Sequence, residues 1–201
     1  PSPRILDIGT GTGVVALMMA QRYPDAMVDA VEIDQEAFSQ AEENVKRSPF
    51  SSRMKIFHSS VQDFSSSCVW RYDAIVSNPP YFQHALKNPD NRKALARHTD
   101  TLTYADLLTV ARNLLSNGGL LSVILPYGDC LSDFVEQSVY QGFYVSREVR
   151  IKTTERKSPK RCLLELSRQA YHGAVTEVQC LSDGRNVRSE WYAMLTKDFY
   201  L

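Results

Sequence analysis

At 201 residues the chain is long enough to bury one substantial core, and its length favours a single domain spanning 1–201. An apolar share of 43%, a charged share of 23% and equal numbers of basic and acidic residues (23 each) describe an ordinary globular protein with no global field to attract nucleic acid. No apolar run approaches the ~18 residues of a membrane span. No secretory signal opens the chain, and Cys68, Cys130, Cys162 and Cys180 are too widely spaced for a metal cluster or a disulfide framework. A cytoplasmic chain with free thiols, no metal and no membrane association is expected.

After Pro1-Ser2-Pro3 the chain passes at once into an apolar strand, Arg4 to Gly9, with no initiator Met and no leading helix, so a segment ahead of residue 1 is expected. Gly9-Thr10-Gly11-Thr12-Gly13 follows, and Val14 to Arg22 has helical spacing. Glycines at a strand-to-helix turn let the backbone approach a ligand closely, and the helix N-terminus behind them offers free N–H groups. The spacing is not the G-x-G-x-x-G of dinucleotide folds. Taken alone, it is also compatible with a tight turn that binds nothing.

Met27 to Asp34 is a second strand ending in acid, with Glu32 placed 19 residues after Gly13, where a second strand tip lies beside the first and a carboxylate can accept both hydroxyls of a ribose. A helix over Glu36–Lys46 and a third strand over Met54–Phe57 come next. Asp63, beyond that strand's carboxyl end, is placed to accept from an adenine amino group, although acids at loop tips are common. Tyr72 to Val76 is a fourth strand, and it ends in Asn78-Pro79-Pro80-Tyr81. Neither proline can continue a ladder, so carbonyls, a carboxamide and a phenol collect at a rigid strand end.

Residues 83–100 read as a polar loop with a basic cluster, Arg92, Lys93, Arg97 and His98. A helix over Thr103–Leu115 is expected to stop at Asn117-Gly118-Gly119. Leu120 to Leu125 is a fifth strand and Leu131 to Gln141 a helix. Phe143–Ile151 and Cys162–Arg168 are two further strands joined by the basic stretch Lys152–Arg161. From Arg147 to Arg161 seven basic residues stand against two acids, a run that equally describes a solvated face. Gln179–Leu181 and Trp191-Tyr192 give only a faint pattern. Strands alternating with helices, then two strands joined without one, indicate an α/β sheet with an antiparallel terminal strand. Ligands of such sheets bind beyond the carboxyl ends of the strands, where Gly9–Gly13, Glu32, Asp63 and Asn78–Tyr81 all fall.

Asp7-Ile-Gly-Thr-Gly-Thr-Gly13, the acid at the second strand tip and Asn78-Pro-Pro-Tyr81 together resemble the class I S-adenosylmethionine-dependent methyltransferases that act on amino nitrogens. The resemblance covers roughly Arg4 to Leu166. It implies a Rossmann-like, seven-stranded, mostly parallel sheet with helices on both faces. It also implies that Asp7, Gly9, Thr10, Gly11 and Gly13 cradle the methionine part of the cofactor, that Glu32 holds the ribose and Asp63 the adenine, and that Asn78 borders the cofactor as well as the substrate. By the same match Asn78, Pro79 and Tyr81 are the catalytic group. Two acceptors, the Asn78 side chain and the Pro79 carbonyl, would hold a conjugated nitrogen, and Tyr81 would stack on the planar substrate. No strong general base is needed, and His98 is read as a loop residue.

Asn78-Pro-Pro-Tyr-Phe82, Ala96-Arg97-His98 and Leu102-Thr-Tyr-Ala-Asp-Leu107 are similar to the bacterial tRNA1(Val) adenine-N6 methyltransferases. That similarity implies tRNA as the partner and a monomer; charge and position then suggest Phe82 beside the flipped base and Arg97, Lys157 and Lys160 on RNA phosphates, where a solvated face is the other reading. The alternative within the N-P-P-Y group is a protein-glutamine N5 methyltransferase acting on release factors. It would require a helical substrate domain ahead of residue 1.

Overall fold

A computed structural model describes residues 2–79, 102–170, 173–185 and 187–199. Among them a sheet of eight strands runs in the order β3-β2-β1-β4-β5-β7-β6-β8. The elements are β1 (Arg4–Ile8), α1 (Val14–Arg22), β2 (Met27–Glu32), α2 (Gln35–Arg47), a short 3-10 turn (Ser51–Arg53), β3 (Met54–His58), α3 (Val61–Ser67), β4 (Tyr72–Ser77), α4 (Tyr104–Leu114), β5 (Leu115–Pro126), α5 (Asp129–Tyr140), β6 (Tyr144–Lys152), β7 (Arg161–Ser167), β8 (Val175–Cys180) and α6 (Glu190–Thr196). All neighbours pair in parallel except at β7, which is antiparallel to both β5 and β6. No helix of the described residues is long and apolar enough to cross a membrane.

Strand period two splits the core between the sheet's faces. Ile5, Val28 and Ala30 pack with Ala16 and Ala20 of α1 and Val45 of α2. Leu6, Ile8 and Val31, one residue out of phase, pack with Phe64 of α3, Leu107 and Leu108 of α4 and Phe134 of α5. Helices therefore cover both faces, as the strand–helix alternation requires. Beneath the second layer, the Tyr72 hydroxyl donates to Asp29 Oδ2 at 2.7 Å, and the Arg4 guanidinium reaches the same oxygen at 3.5 Å. Burial pushes the Asp29 carboxyl up against these two opposing contacts.

The structure departs from the sequence reading in four places. The sheet has eight strands rather than seven, because Val175–Cys180 adds in parallel to the outer edge of β6. Residues 117–119 do not cap a helix. They lie inside β5, which starts immediately after α4, and the β4–β5 register shifts between Tyr72 and Ala74 to admit them. Asp63 is not in a loop but in the first turn of α3, whose N-cap Ser60 accepts from its N–H. Trp191 and Tyr192 lie in α6, which docks on the distant end of α1 through Arg22 donating to the Leu195 carbonyl at 2.9 Å.

Candidate active site

The carboxyl ends of β1, β2, β3 and β4 stand side by side. Ile8 is in register with both Val31 and Ser77, and Glu32 with His58. Ser77 Oγ donates to the Ile8 carbonyl at 2.9 Å and locks the β4 tip to the β1 tip. Gly9 leaves one strand and Asn78 the other at the same level. Asn78 is exposed and Pro79 buried. The two acceptors expected to clamp a nitrogen thus start beside the glycine turn.

That turn is held by hydrogen bonds to β2 and α2. The Gly9 and Thr10 N–H groups both donate to the Val31 carbonyl, at 3.0 and 3.2 Å, and Asn44 Nδ2 donates to the Thr12 carbonyl at 2.9 Å. Gly9 and Gly11 have φ of 69° and 58°, and a Cβ at either would meet open space. The open space over both is what a closely approaching ligand requires. Gly13 serves a different end: a Cβ there would lie 3.3 Å from the Ala41 side chain, so this glycine lets α1 close on α2. No side chain caps the N-terminus of α1 and no acid lies in its first turn, which leaves its positive end toward the site.

Asp7 supports this turn from beneath. It is buried, accepts from the Thr10 hydroxyl at 2.6 Å, and also accepts from the Ala16 N–H in the first turn of α1. The carboxylate orders the glycine turn and does not line the cleft. Burial pushes Asp7 up to about 6, with the nearby Glu32 charge adding to the rise and the Thr10 and Ala16 hydrogen bonds opposing it. A carboxyl raised from its ordinary 3.8 contributes stability in full below 3.8 and loses it as the pH passes about 6. Relative to Asp7→Asn, the native chain should therefore lose stability between about pH 4 and 7. Denaturation midpoints of both proteins across that range measure this, and a pH-independent difference would contradict it.

Glu32 is the most heavily engaged acid of the edge. Its Oε2 accepts from the Gly11 N–H at 2.7 Å, and Oε1 accepts from the Ile33 and Asp34 N–H groups at 2.9 and 3.0 Å. It joins the glycine turn to the start of α2. Beside it opens a shallow cleft lined by Ile8, Gly9, Val31, Glu32, Ile33, Ser59, Val61, Gln62 and Leu102. The apolar walls Ile33, Val61 and Leu102 with a few polar groups at one end suit a flat, partly polar ring system. Ile33 and Gln62 were not singled out in the sequence, and Leu102 only as the start of the stretch Leu102-Thr-Tyr-Ala-Asp-Leu107. Ile33 carries a signal after the fact, an apolar residue directly following the acid at the tip of β2. Asp63 does not line this cleft, and its Oδ2 accepts from the Ser60 hydroxyl at 2.7 Å.

The methyltransferase small domain family matches residues 1–145. The chain belongs to this family. The methyltransferase is 40% identical to the tRNA1(Val) (adenine(37)-N6)-methyltransferase of Parabacteroides distasonis over 98% of its length and 83% of the relative's. It is 46% identical to the protein of the same name from Trichodesmium erythraeum over 83% of its own length and 70% of the relative's. A predicted O-methyltransferase from Agrobacterium tumefaciens, of known crystal structure, superposes with a TM-score of 0.71 at 18% identity, over 98% of this chain and 89% of that one. The last comparison concerns the fold alone.

Of the other expected site residues, Tyr81, Phe82 and Arg97 lie outside the described residues. Lys157 and Lys160 are exposed on the β6–β7 connection, at the same sheet edge as Asn78. Not all of the expected basic run is available to a ligand. Arg147 pairs with Glu177 at 2.8 Å and Arg150 with Glu148 at 2.6 Å, while Lys152 Nζ donates to the Glu155 carbonyl at 3.2 Å.

Proposed function

We propose that this chain transfers a methyl group from S-adenosylmethionine to the exocyclic N6 of an adenine in tRNA, adenine 37 of tRNA1(Val) as in the names of its relatives. The observation that carries the reading is the start of Asn78-Pro79 beside Gly9, one strand from the turn that would hold the donor. The residues suit that cofactor: open space over the glycines, a carboxylate at the next strand tip bonded to their turn, and a partly apolar cleft beside it. When bound, S-adenosylmethionine supplies an electrophilic methyl group on a sulfonium.

The chain's own residues do the rest. An adenine amino nitrogen is a poor nucleophile because its lone pair is delocalised into the ring. The Asn78 side-chain oxygen and the Pro79 carbonyl, each accepting one N–H, draw the nitrogen out of full conjugation and stabilise the positive charge it gains. With the donor bound, the nitrogen so held would take the methyl group from the sulfonium, the N–CH3 bond replacing the S–CH3 bond, and its surplus proton would pass to solvent. Orientation supplies much of the acceleration, which is consistent with a site built from strand tips rather than a mobile base. Tyr81 and Phe82 are assigned to the target base, and Arg97, Lys157 and Lys160 to phosphates, with Asp63 toward the adenine end of the cofactor.

The deciding experiment incubates the purified chain with labelled S-adenosylmethionine and either unmodified tRNA1(Val) or a release-factor peptide bearing its glutamine. Label in the RNA, released as N6-methyladenosine on nucleoside mass spectrometry, is the expected result. Label only in the peptide glutamine would replace this reading by protein methylation.

A further inference from the structure

Beyond Asn78 the active edge continues through the tips of β5, β7, β6 and β8, and the reading above uses only two lysines of that stretch. Tyr127 follows the last residue of β5, and its N–H donates to the Lys160 carbonyl at 3.1 Å, which fixes the residue beside the β6–β7 connection. The Arg150 guanidinium lies 5.5 Å from the Tyr127 ring centroid, and Arg150 is itself held by its bond to Glu148. One side of the phenol is thus backed by a fixed planar cation, while 37% of the residue remains exposed. Its remaining surface is suited to a second flat group, and a cation behind an aromatic ring keeps it in place without burying it.

Farther along the edge, the Leu181 N–H donates to the Lys152 carbonyl at 2.9 Å and the Ser182 N–H to the Thr153 carbonyl at 3.1 Å. These bonds strap the turn after β8 onto the root of the β6–β7 connection, and a bridge between Ser182 and Arg188 closes the turn. Two separate stretches of chain therefore meet, carrying exposed Lys157 and Lys160 on one side and exposed Arg185 on the other. The nearby acid Asp183 is engaged by the Arg185 N–H at 2.8 Å. Distances along the edge suit a polynucleotide. Ser77 is in register with Val123, four residues before Tyr127, so the Tyr127 backbone stands one strand over and roughly 10–13 Å farther out than Ser77. A strand leaving the Asn78 clamp would reach the ring first and the cations next.

We propose that Tyr127 stacks on an unpaired base neighbouring the methylated one, and that the same RNA strand then runs across the β6–β7 connection to a phosphate contact at Arg185. This rests on the nucleic-acid reading of the site. Stacking on an aromatic plate tolerates any base, so Tyr127 contributes affinity and direction to the strand, while the clamp at Asn78 selects the atom.

The test measures binding of a fluorescently labelled anticodon stem-loop of tRNA1(Val) to the full chain over a range of salt, with S-adenosylmethionine affinity as the control for folding. Tyr127→Ala should weaken binding roughly 5- to 150-fold at every salt concentration, leaving the salt slope unchanged. Tyr127→Phe, which keeps the plate, should stay within about twofold of the native chain. Arg185→Gln should weaken binding and lower the slope of log K against log salt by about 0.7 to 0.9. Native-like binding by Tyr127→Ala, or an equal loss in Tyr127→Phe, overturns the stacking role, and an unchanged slope in Arg185→Gln overturns the phosphate contact. If the native chain neither binds nor methylates the stem-loop, the nucleic-acid reading itself falls. If it methylates normally while Tyr127→Ala matches it, only the track proposed here is lost.

Discussion

Replacing Asn78 by alanine should lower the rate of methyl transfer by at least 10²–10³-fold, while S-adenosylmethionine affinity stays within about fivefold of native. The magnitude follows from other sites in which one preorganised partner of a developing charge is removed. Here the lost group is an acceptor, and the charge it meets is the positive one that grows on nitrogen as the methyl arrives. The effect belongs in kcat because the interaction strengthens between ground and transition state. The fold should tolerate the change. Asn78 is exposed, it lies beyond the last ladder residue of β4, and Ser77 continues to anchor the strand tip through its bond to the Ile8 carbonyl. Single-turnover transfer to tRNA, paired with calorimetric cofactor binding, separates the two quantities. A cofactor affinity that falls in parallel with the rate would move Asn78 from the substrate nitrogen to the cofactor. Transfer within threefold of native would remove it from the mechanism.

What could be read from the residues in advance divides along physical lines. The inner strands were legible because each is a short apolar run bounded by glycine, proline or acid, and because burial on both faces leaves little room for alternation. The glycine turn was legible because only glycine adopts the conformations found at Gly9 and Gly11 without strain. Strand β8 was not. Val175–Cys180 has one partner strand, Val175 and Val178 remain more than half exposed, and an edge strand of that kind carries almost no hydrophobic signal. α6 was missed for a related reason, since its docking rests on Arg22 and Gln21 donating to carbonyls more than 170 positions away. α3 did carry a local mark, Ser60 followed by Asp63 three residues later, but seven residues offer too little periodicity to outweigh a loop reading. The acids show the same limit. Their positions at strand tips follow from spacing, whereas the inward turn of Asp7 onto Thr10 and Ala16, and the three N–H groups on Glu32, depend on how the chain folds back.

Those three bonds sharpen what Glu32 can do for the cofactor, and they lead to the second large effect. An ionised carboxylate offers about four acceptor positions. Gly11, Ile33 and Asp34 take three of them, one on Oε2 and two on Oε1. While those bonds are kept, one position remains, on Oε2, and we propose that it accepts from a single ribose hydroxyl of the cofactor. Glu32→Ala should weaken S-adenosylmethionine binding roughly 100-fold or more, since it removes a charged acceptor worth about 1.5–3 kcal/mol per bond and releases the glycine turn from α2. Loss of affinity alone would not tell a ribose contact from a loosened turn. The distinction comes from a cycle of calorimetric measurements on the native chain and the variant, each with the cofactor and with its 2′-deoxy and 3′-deoxy forms. A direct contact predicts that one deoxy form binds the native chain more weakly, that the other is nearly neutral, and that neither deletion matters once Glu32 is gone. If both deletions cost the native chain and the variant equally, Glu32 acts only by holding Gly11, and the ribose is bound by other groups of the cleft.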